Sequence, residues 1–175
     1  MKSLKELYRI GPGPSSSHTL GPQRASLIFK NRYFDAYRYE VELYGSLSLT
    51  GKGHLTDYII IETMKPKECR VFFKAKADLK HPNTMKLLAF NKEDELLGEM
   101  TVYSVGGGAI LIEGEECGEG QDVYPHHSLK EIQEYCFAKE MELWEYVDAF
   151  DPMDDYIEKI MEQMMATVES GLSKE

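Results

Sequence analysis

Gly11-Pro12-Gly13-Pro14-Ser15-Ser16-Ser17-His18-Thr19-Leu20-Gly21-Pro22 opens with two Gly-Pro pairs and then places four hydroxyls and an imidazole in five consecutive positions. Proline fixes φ and pushes its predecessor out of the helical region, so the pairs predict a turn. The residues that follow, Gln23 to Lys30, have helical spacing, with Ala25, Ile28, Phe29 and, further on, Ala36 sharing one face to about Tyr37. Pro22 suits the first turn of that helix, where its missing N–H is not needed. The pattern predicts a polar loop delivered to a helix N-terminus, where free N–H groups and the helix dipole favour a carboxylate or a phosphate. A serine-rich capping loop is the alternative reading of the same residues.

Working outward, Tyr39 to Tyr44 alternates, with Val41 and Leu43 on one face and Glu40 and Glu42 on the other, the pattern of a half-buried strand. It runs into a second polar stretch, Gly45-Ser46-Leu47-Ser48-Leu49-Thr50-Gly51-Lys52-Gly53-His54-Leu55-Thr56-Asp57. The glycines around Lys52 permit positive φ and close approach of backbone to a ligand. The stretch is not a phosphate-binding G-x-x-x-x-G-K-[ST] loop, because Gly53 follows the lysine. His54 is a base-capable imidazole in that loop, although a solitary loop histidine is more often a surface residue. Asp57, three residues on, is placed to orient it.

After an apolar, helical segment over 58–64, the texture becomes β. Cys69–Lys74, Thr84–Phe90, Leu97–Val105 and Ala109–Glu113 read as strands, with Asn91–Asp94 as a hairpin connection and Gly106-Gly107-Gly108 as a bend. Gly114 to Tyr124 is an acidic, glycine-rich connection and the candidate domain boundary. Beyond it the sequence is helical. Ser128 caps a helix with Glu131 at the capping-box position, and a second helix over 140–149 carries Leu143, Trp144 and Val147 on one face. Asp151-Pro152 fits the start of a third, whose stripe is Met153, Tyr156, Ile157, Ile160, Met164 and Val168. At the other end, residues 2–9 predict a short helical turn with Leu4, Leu7 and Tyr8 pointing inward. These elements predict an α+β fold: a mixed sheet with helices over residues 1–122, then a helical extension over 123–175.

The 175 residues are 42% hydrophobic and 29% charged, the balance of a folded globular protein. A formal net charge of −10 excludes nucleic acid as the expected partner, since no basic patch would dominate that field. No apolar run reaches the ~18–20 residues a membrane span needs, and residues 1–8 lack a signal-peptide core, so no membrane and a cytoplasmic location are expected. Cys69, Cys117 and Cys136 form neither a disulfide framework nor a C-x-x-C site, and no metal ligands are expected in this chain. Cys117 near His126 and His127 invites a metal hypothesis, but a loop cysteine before a helix-entry His pair is the plainer reading.

The two polar stretches, G-P-S-S-S-H-T-x-G-P and Y-G-S-L-S-L-T-G-K-G-H-x-T-D, resemble the β domain of the iron–sulfur-dependent L-serine dehydratases (L-serine ammonia-lyases). His81-Pro82-Asn83-Thr84, Ser104-Val105-Gly106-Gly107-Gly108 and the helical tail from Leu129 resemble the same family, so the likeness spans nearly the whole chain. It implies conversion of L-serine to pyruvate and ammonia by loss of water, a step in amino-acid metabolism and gluconeogenesis. It also implies His54 as the base for the α-proton, and Ser15, Ser16, Ser17, His18, Thr19 and Lys52 as substrate-binding residues that border serine and hold its carboxylate. The family's cofactor is a [4Fe-4S] cluster with one open iron, ligated by an α domain or subunit and not by this chain; three scattered cysteines do not supply the usual ligands. The resemblance therefore implies an α partner, oligomerisation and no activity from this chain alone. It leaves either a stand-alone β subunit or a β domain of a longer protein, and Gly171 near the end suits a natural terminus. A binding module that senses serine or another small anion without catalysis is the competing expectation.

Overall fold

The computed structural model describes residues 1–75, 78–115 and 122–174, and divides the chain into two compact units. One is residues 11–117; the other joins residues 1–10 to residues 118–175, so the first ten residues group with the C-terminal helices. The predicted α+β class holds, with a mixed sheet and C-terminal helices. Cys117 and much of the acidic connection lie outside the described residues.

In the larger unit, a wide helical turn over Ser16–Leu20 runs directly into α1, Gly21–Arg32. The chain then forms β1 (Arg38–Leu43), α2 (Ser46–Thr50), α3 (Thr56–Met64), β2 (Glu68–Phe73), β3 (Thr84–Phe90), β4 (Leu96–Gly106) and β5 (Ala109–Ile112). The sheet order is β2-β1-β3-β4-β5. β1 and β2 are parallel, which requires a crossover, and α2 with α3 provides it. The remaining pairs are antiparallel, and β3–β4 is the hairpin predicted around Asn91–Asp94.

Alternation decides which sheet face is buried. Tyr39, Val41 and Leu43 of β1 are fully buried, as are Met85, Leu87 and Ala89 of β3, and α1 and α3 cover them with Phe29, Ile60 and Met64. The other face keeps Arg38, Glu40, Glu42 and Lys86, tied by ion pairs such as Arg38–Glu40 (2.6 Å) and Lys86–Glu99 (2.8 Å). The structure corrects several expected boundaries. α1 ends at Arg32 rather than near Tyr37, although Ala36 is still buried in the core, and the stretch read as a loop after Gly45 begins with the short helix α2. Gly45 has φ of 56°, and a Cβ there would lie 2.2 Å from the Pro82 carbonyl oxygen, so no other residue fits this strand end.

The second unit contains α4 (Leu129–Lys139), α5 (Leu143–Phe150) and α6 (Tyr156–Leu172). Ser128 caps α4 as predicted, while the Glu131 carboxylate accepts from the amide of His127 (2.8 Å). The small core is aromatic: Tyr124, Ile132, Cys136 and Tyr146 are buried, with His126, Tyr135 and Phe150 around them. Leu143 and Trp144 of the predicted apolar face of α5 are exposed; Tyr146 is its anchor, because its hydroxyl finds His126 Nδ1 at 2.9 Å. Leu4, Leu7 and Tyr8, expected inward, are largely exposed.

Asp151 does not start a helix, since α6 begins at Tyr156 after an Asp155 N-cap. Its carboxylate is buried and accepts from the Ser3 hydroxyl (2.8 Å), the Leu4 amide (2.8 Å) and the Tyr124 hydroxyl (3.0 Å). The local need of residues 3–4 for an acceptor outcompetes the capping preference. Burial disfavours its charge, but the bonds from Ser3, Leu4 and Tyr124, with Lys5 nearby, outweigh that and hold the carboxyl below the ordinary aspartate range. A depressed carboxyl contributes stability that is present above its unfolded value of about 3.9 and lost as pH falls through the folded one. Asp151→Asn is expected to lower the unfolding free energy by about 1–3 kcal/mol, from donors left without their charged acceptor. Urea titration of the two proteins at neutral pH checks it; equal midpoints would mean that the carboxylate does not hold this unit together.

Candidate active site

Pro22 lacks the N–H that a wide i→i+5 turn would direct at the Ser17 carbonyl, just as the Gly21 amide is directed at the Ser16 carbonyl. The Ser17 carbonyl instead accepts the Ser104 hydroxyl of β4 at 2.8 Å. Gly21 allows this approach, because a Cβ there would lie 2.3 Å from Ser104 Oγ. Ser104 is in turn held by Asn83: its amide donates to the Asn83 carbonyl (2.9 Å) and its carbonyl accepts from Asn83 Nδ2 (3.2 Å). Pro82 next door accepts the Ser46 amide at 2.8 Å. Arg24 of α1 reaches the Gly108 carbonyl at 2.8 Å. The motif stretches at 11–22, 45–57, 81–84 and 104–108 thus meet in space.

At their centre is His18, 8% exposed. Its Nδ1 lies 3.0 Å from the Ser17 hydroxyl, and its Nε2 lies 3.0 Å from the Thr50 hydroxyl and 3.2 Å from that of Ser46. Thr50 Oγ1 also lies 2.9 Å from the Ser46 carbonyl, to which it gives its single proton, so it accepts from Nε2–H. Nδ1 then accepts the hydrogen bond of the Ser17 hydroxyl, and the network is complete with a neutral ring. Burial pushes the His18 pKa below its ordinary value, and His54 adds to that; a Ser46 backbone contact works the other way.

The half-buried His54 ring lies 4.7 Å from His18, centroid to centroid. Its Nδ1 is 2.9 Å from the Thr50 carbonyl, which only accepts, so Nδ1 carries the proton and Nε2 the lone pair. The Thr50 carbonyl, and not Asp57, orients this ring: the Asp57 carboxylate accepts the Tyr58 amide at 3.0 Å.

Ser15, Ser16 and Ser17 are not a loop before the helix but its N-cap and first turn. Ser15 Oγ accepts the His18 amide at 3.3 Å and lies 3.4 Å from Ser17 Oγ, while Ser16 is exposed. Amides at such a start have no intrahelical acceptor. Thr19 is 1% exposed, and its hydroxyl points back to the Pro12 carbonyl (2.8 Å) and that of Ser15, so it ties the turn together and presents nothing outward. Lys52 is exposed, with its ammonium 5.4 Å from the Phe73 ring centroid; among the described residues it makes no hydrogen bond or ion pair to the His18 cluster. Ser46, Thr50, Asn83 and Ser104 are members of the cluster that sequence reasoning passed over. Their presence in the quoted polar motifs was the available signal, and only the crossover topology gives it meaning.

An iron–sulfur cluster needs several thiolates. Among the described residues, no group of three or more His, Cys, Asp or Glu is placed to hold a metal ion. Cys69 sits in β2, where burial, with Glu40 nearby, pushes its thiol up to about 12, so it stays protonated at neutral pH. Cys136 is buried in the helical unit. The described residues do not fit the cluster.

The His18 network carries a pH signature. At neutral pH both the folded and the unfolded chain hold His18 neutral. As pH falls through about 6.5, the unfolded chain takes up a proton that the folded one resists, so stability falls. The urea midpoint is expected to drop between about pH 7.5 and about pH 5.5, and to drop less in His18→Gln. Equal drops in both proteins would assign the dependence to other groups.

The comparisons point the same way as the geometry. The serine dehydratase beta chain family matches residues 3–70 and 61–115. The L-serine dehydratase of Helicobacter pylori (strain ATCC 700392 / 26695) is 32% identical over 190 residues, covering 83% of this chain and 42% of that protein. L-serine dehydratase 1 of Escherichia coli (strain K12) is 29% identical over 230 residues, covering 100% of this chain and 50% of that protein. For the L-serine dehydratase of Haemophilus influenzae (strain ATCC 51907 / DSM 11121 / KW20 / Rd) the figures are 27% over 228 residues, 100% and 50%. The chain spans half or less of the length of these relatives. With residues 3–115 matched, and the matched motifs converging on one pair of histidines, the chain belongs to the serine dehydratase beta chain family.

Proposed function

We propose that this chain is the β component of an L-serine ammonia-lyase, which converts L-serine to pyruvate and ammonia together with a cysteine-bearing α component. The observation that carries the proposal is the His18–His54 pair, ringed by the hydroxyls of Ser17, Ser46 and Thr50 at the start of α1. The names of the relatives supply the substrate. Serine loses its α-proton and its hydroxyl as water; the resulting enamine tautomerises to an imine, and a second water releases ammonia and leaves pyruvate.

The residues divide the work that this chain can do. The Ser15 and Ser16 hydroxyls and the free amides of the first turn hold the substrate carboxylate, while Ser17 borders it with its own hydroxyl donating to His18 Nδ1; a helix start favours a negative group by ~0.3–1 kcal/mol at exposed positions. His54 removes the α-proton at Nε2, the ring atom that the Thr50 carbonyl leaves with a lone pair. His18 stays neutral and positions the Ser17, Ser46 and Thr50 hydroxyls beside it. Thr19 braces the turn from within, and Lys52 stands apart. The [4Fe-4S] cluster belongs, in this proposal, to the α component, and the active species is an oligomer of both located in the cytoplasm. Among the described residues, no helix is long and apolar enough to cross a membrane.

With the α component present, His54→Asn is expected to lower kcat by about 10² or more, the scale of a lost general base, with little change in serine binding. Exchange of the serine α-proton with deuterated solvent should vanish with it. Near-normal turnover in a folded His54→Asn protein would reject His54 as the base. Ser16→Ala together with Ser17→Ala should raise KM. Serine binding to the chain with no turnover under any α pairing would favour a sensing module instead.

A further inference from the structure

The net charge of this protein is not shared between its two units. Residues 1–10 and 118–175 hold 16 acidic and 7 basic side chains, against 14 and 13 in residues 11–117, so nine of the ten net negative charges belong to the helical unit. That unit also carries an exposed apolar stripe along α6. No residue of α6 is buried, and Ile157, Met161, Met164, Val168 and Leu172 are each at least 50% exposed.

The spacing of this stripe is informative. Ile157, Met161, Met164 and Val168 follow one another by four, three and four residues, the interval of a seam that packs against another helix. Beside it, Ile157, Ile160 and Met164 share an apolar groove of about 300 Å³ with Leu4, Tyr8 and Tyr156 of the same unit. The methionines are unbranched and adapt to an incoming side chain. At 3.6 residues per turn, Glu158, Glu162 and Glu169 fall within a sector of roughly 40° along one rim of the seam. Lys159, the one cation of α6, faces away from that rim and is paired with Asp155 at 2.5 Å.

From this juxtaposition we infer that α6 docks an amphipathic helix of a different polypeptide, apolar along one face and bordered by lysine or arginine. A second copy of this chain fits the seam but not the charge. It would bring nine further net negative charges and a second glutamate row within a Debye length, about 8 Å at physiological salt. An anionic membrane surface carries the same wrong sign. A basic rim on the partner instead meets the glutamates, which sets partner choice and register in the way that charges flanking a helical seam do. The inference concerns the helical unit alone and stands whether or not the His18–His54 site turns over serine.

The test uses the full chain and two synthetic helices of about four heptads, both with leucine along the seam, one flanked by lysine and the other by glutamate. Calorimetric titration should show binding of the lysine peptide and at least about tenfold weaker binding of the glutamate peptide. Met161→Gln with Met164→Gln, which keeps helix propensity and side-chain length, should reduce lysine-peptide affinity by about tenfold or more. Glu158→Lys with Glu162→Lys and Glu169→Lys should do the same and reverse the preference between the peptides. Circular dichroism confirms that α6 persists in each variant. Undiminished lysine-peptide binding after the methionine changes would show mere charge attraction and overturn the docking seam. Equal binding of both peptides would overturn the basic rim. Self-association of the unmodified chain, abolished by the same methionine changes, would hand the face to a second copy.

Discussion

Pro22 has no amide proton, and much of the larger unit follows from that absence. The Ser17 carbonyl, left without its helical partner, accepts the Ser104 hydroxyl from β4. That bond joins the wide turn before α1 to the sheet, and Gly21 keeps the space that it needs. Once the turn is fixed, His18 is carried below the surface, where only the Ser17, Ser46 and Thr50 hydroxyls remain for its two nitrogens. Burial of this imidazole beside His54 favours the neutral ring, so the electrostatics of the site follow from its packing.

The parallel pair β1–β2 is the other half of this construction. Its crossover must leave the end of β1, and Gly45 lets it turn against the Pro82 carbonyl before α2 begins. Thr50, in the last turn of α2, then serves both histidines. Its hydroxyl accepts from His18, and its carbonyl accepts the hydrogen bond of His54 Nδ1–H, which leaves the His54 lone pair on Nε2. One residue thereby sets the tautomer of two rings. An ordinary threonine in an unremarkable position acquires this role only through where the crossover places it.

The helical unit is organised on a different principle. Its core is small and aromatic, and the buried Asp151 carboxylate gathers the donors of Ser3, Leu4 and Tyr124 into one acceptor. That arrangement joins sequence positions almost 150 residues apart without a large apolar interface. The rest of the unit carries acid and methionine outward, a composition suited to contact with something else more than to self-sufficiency.

The amino-acid sequence by itself determined the elements and their buried faces, because alternation in β1 and β3 and the spacing of Ala25 and Phe29 in α1 are local consequences of strand and helix geometry. It also determined the motifs at 11–22 and 45–57, whose composition marks them wherever they fold. What only the tertiary structure decided was which atoms of those motifs face one another. Thr19 turned inward, Lys52 moved off to Phe73, Asp57 accepted the neighbouring Tyr58 amide, and Ser46, Thr50, Asn83 and Ser104 entered the cluster. Asp151 likewise left its expected helix start for the donors of Ser3 and Leu4. The physical reason is common to all of these. A polar side chain takes whichever unsatisfied donor or acceptor lies nearest in space, and for residues separated by tens of positions that neighbour is set by the sheet order and the crossover, not by local pattern.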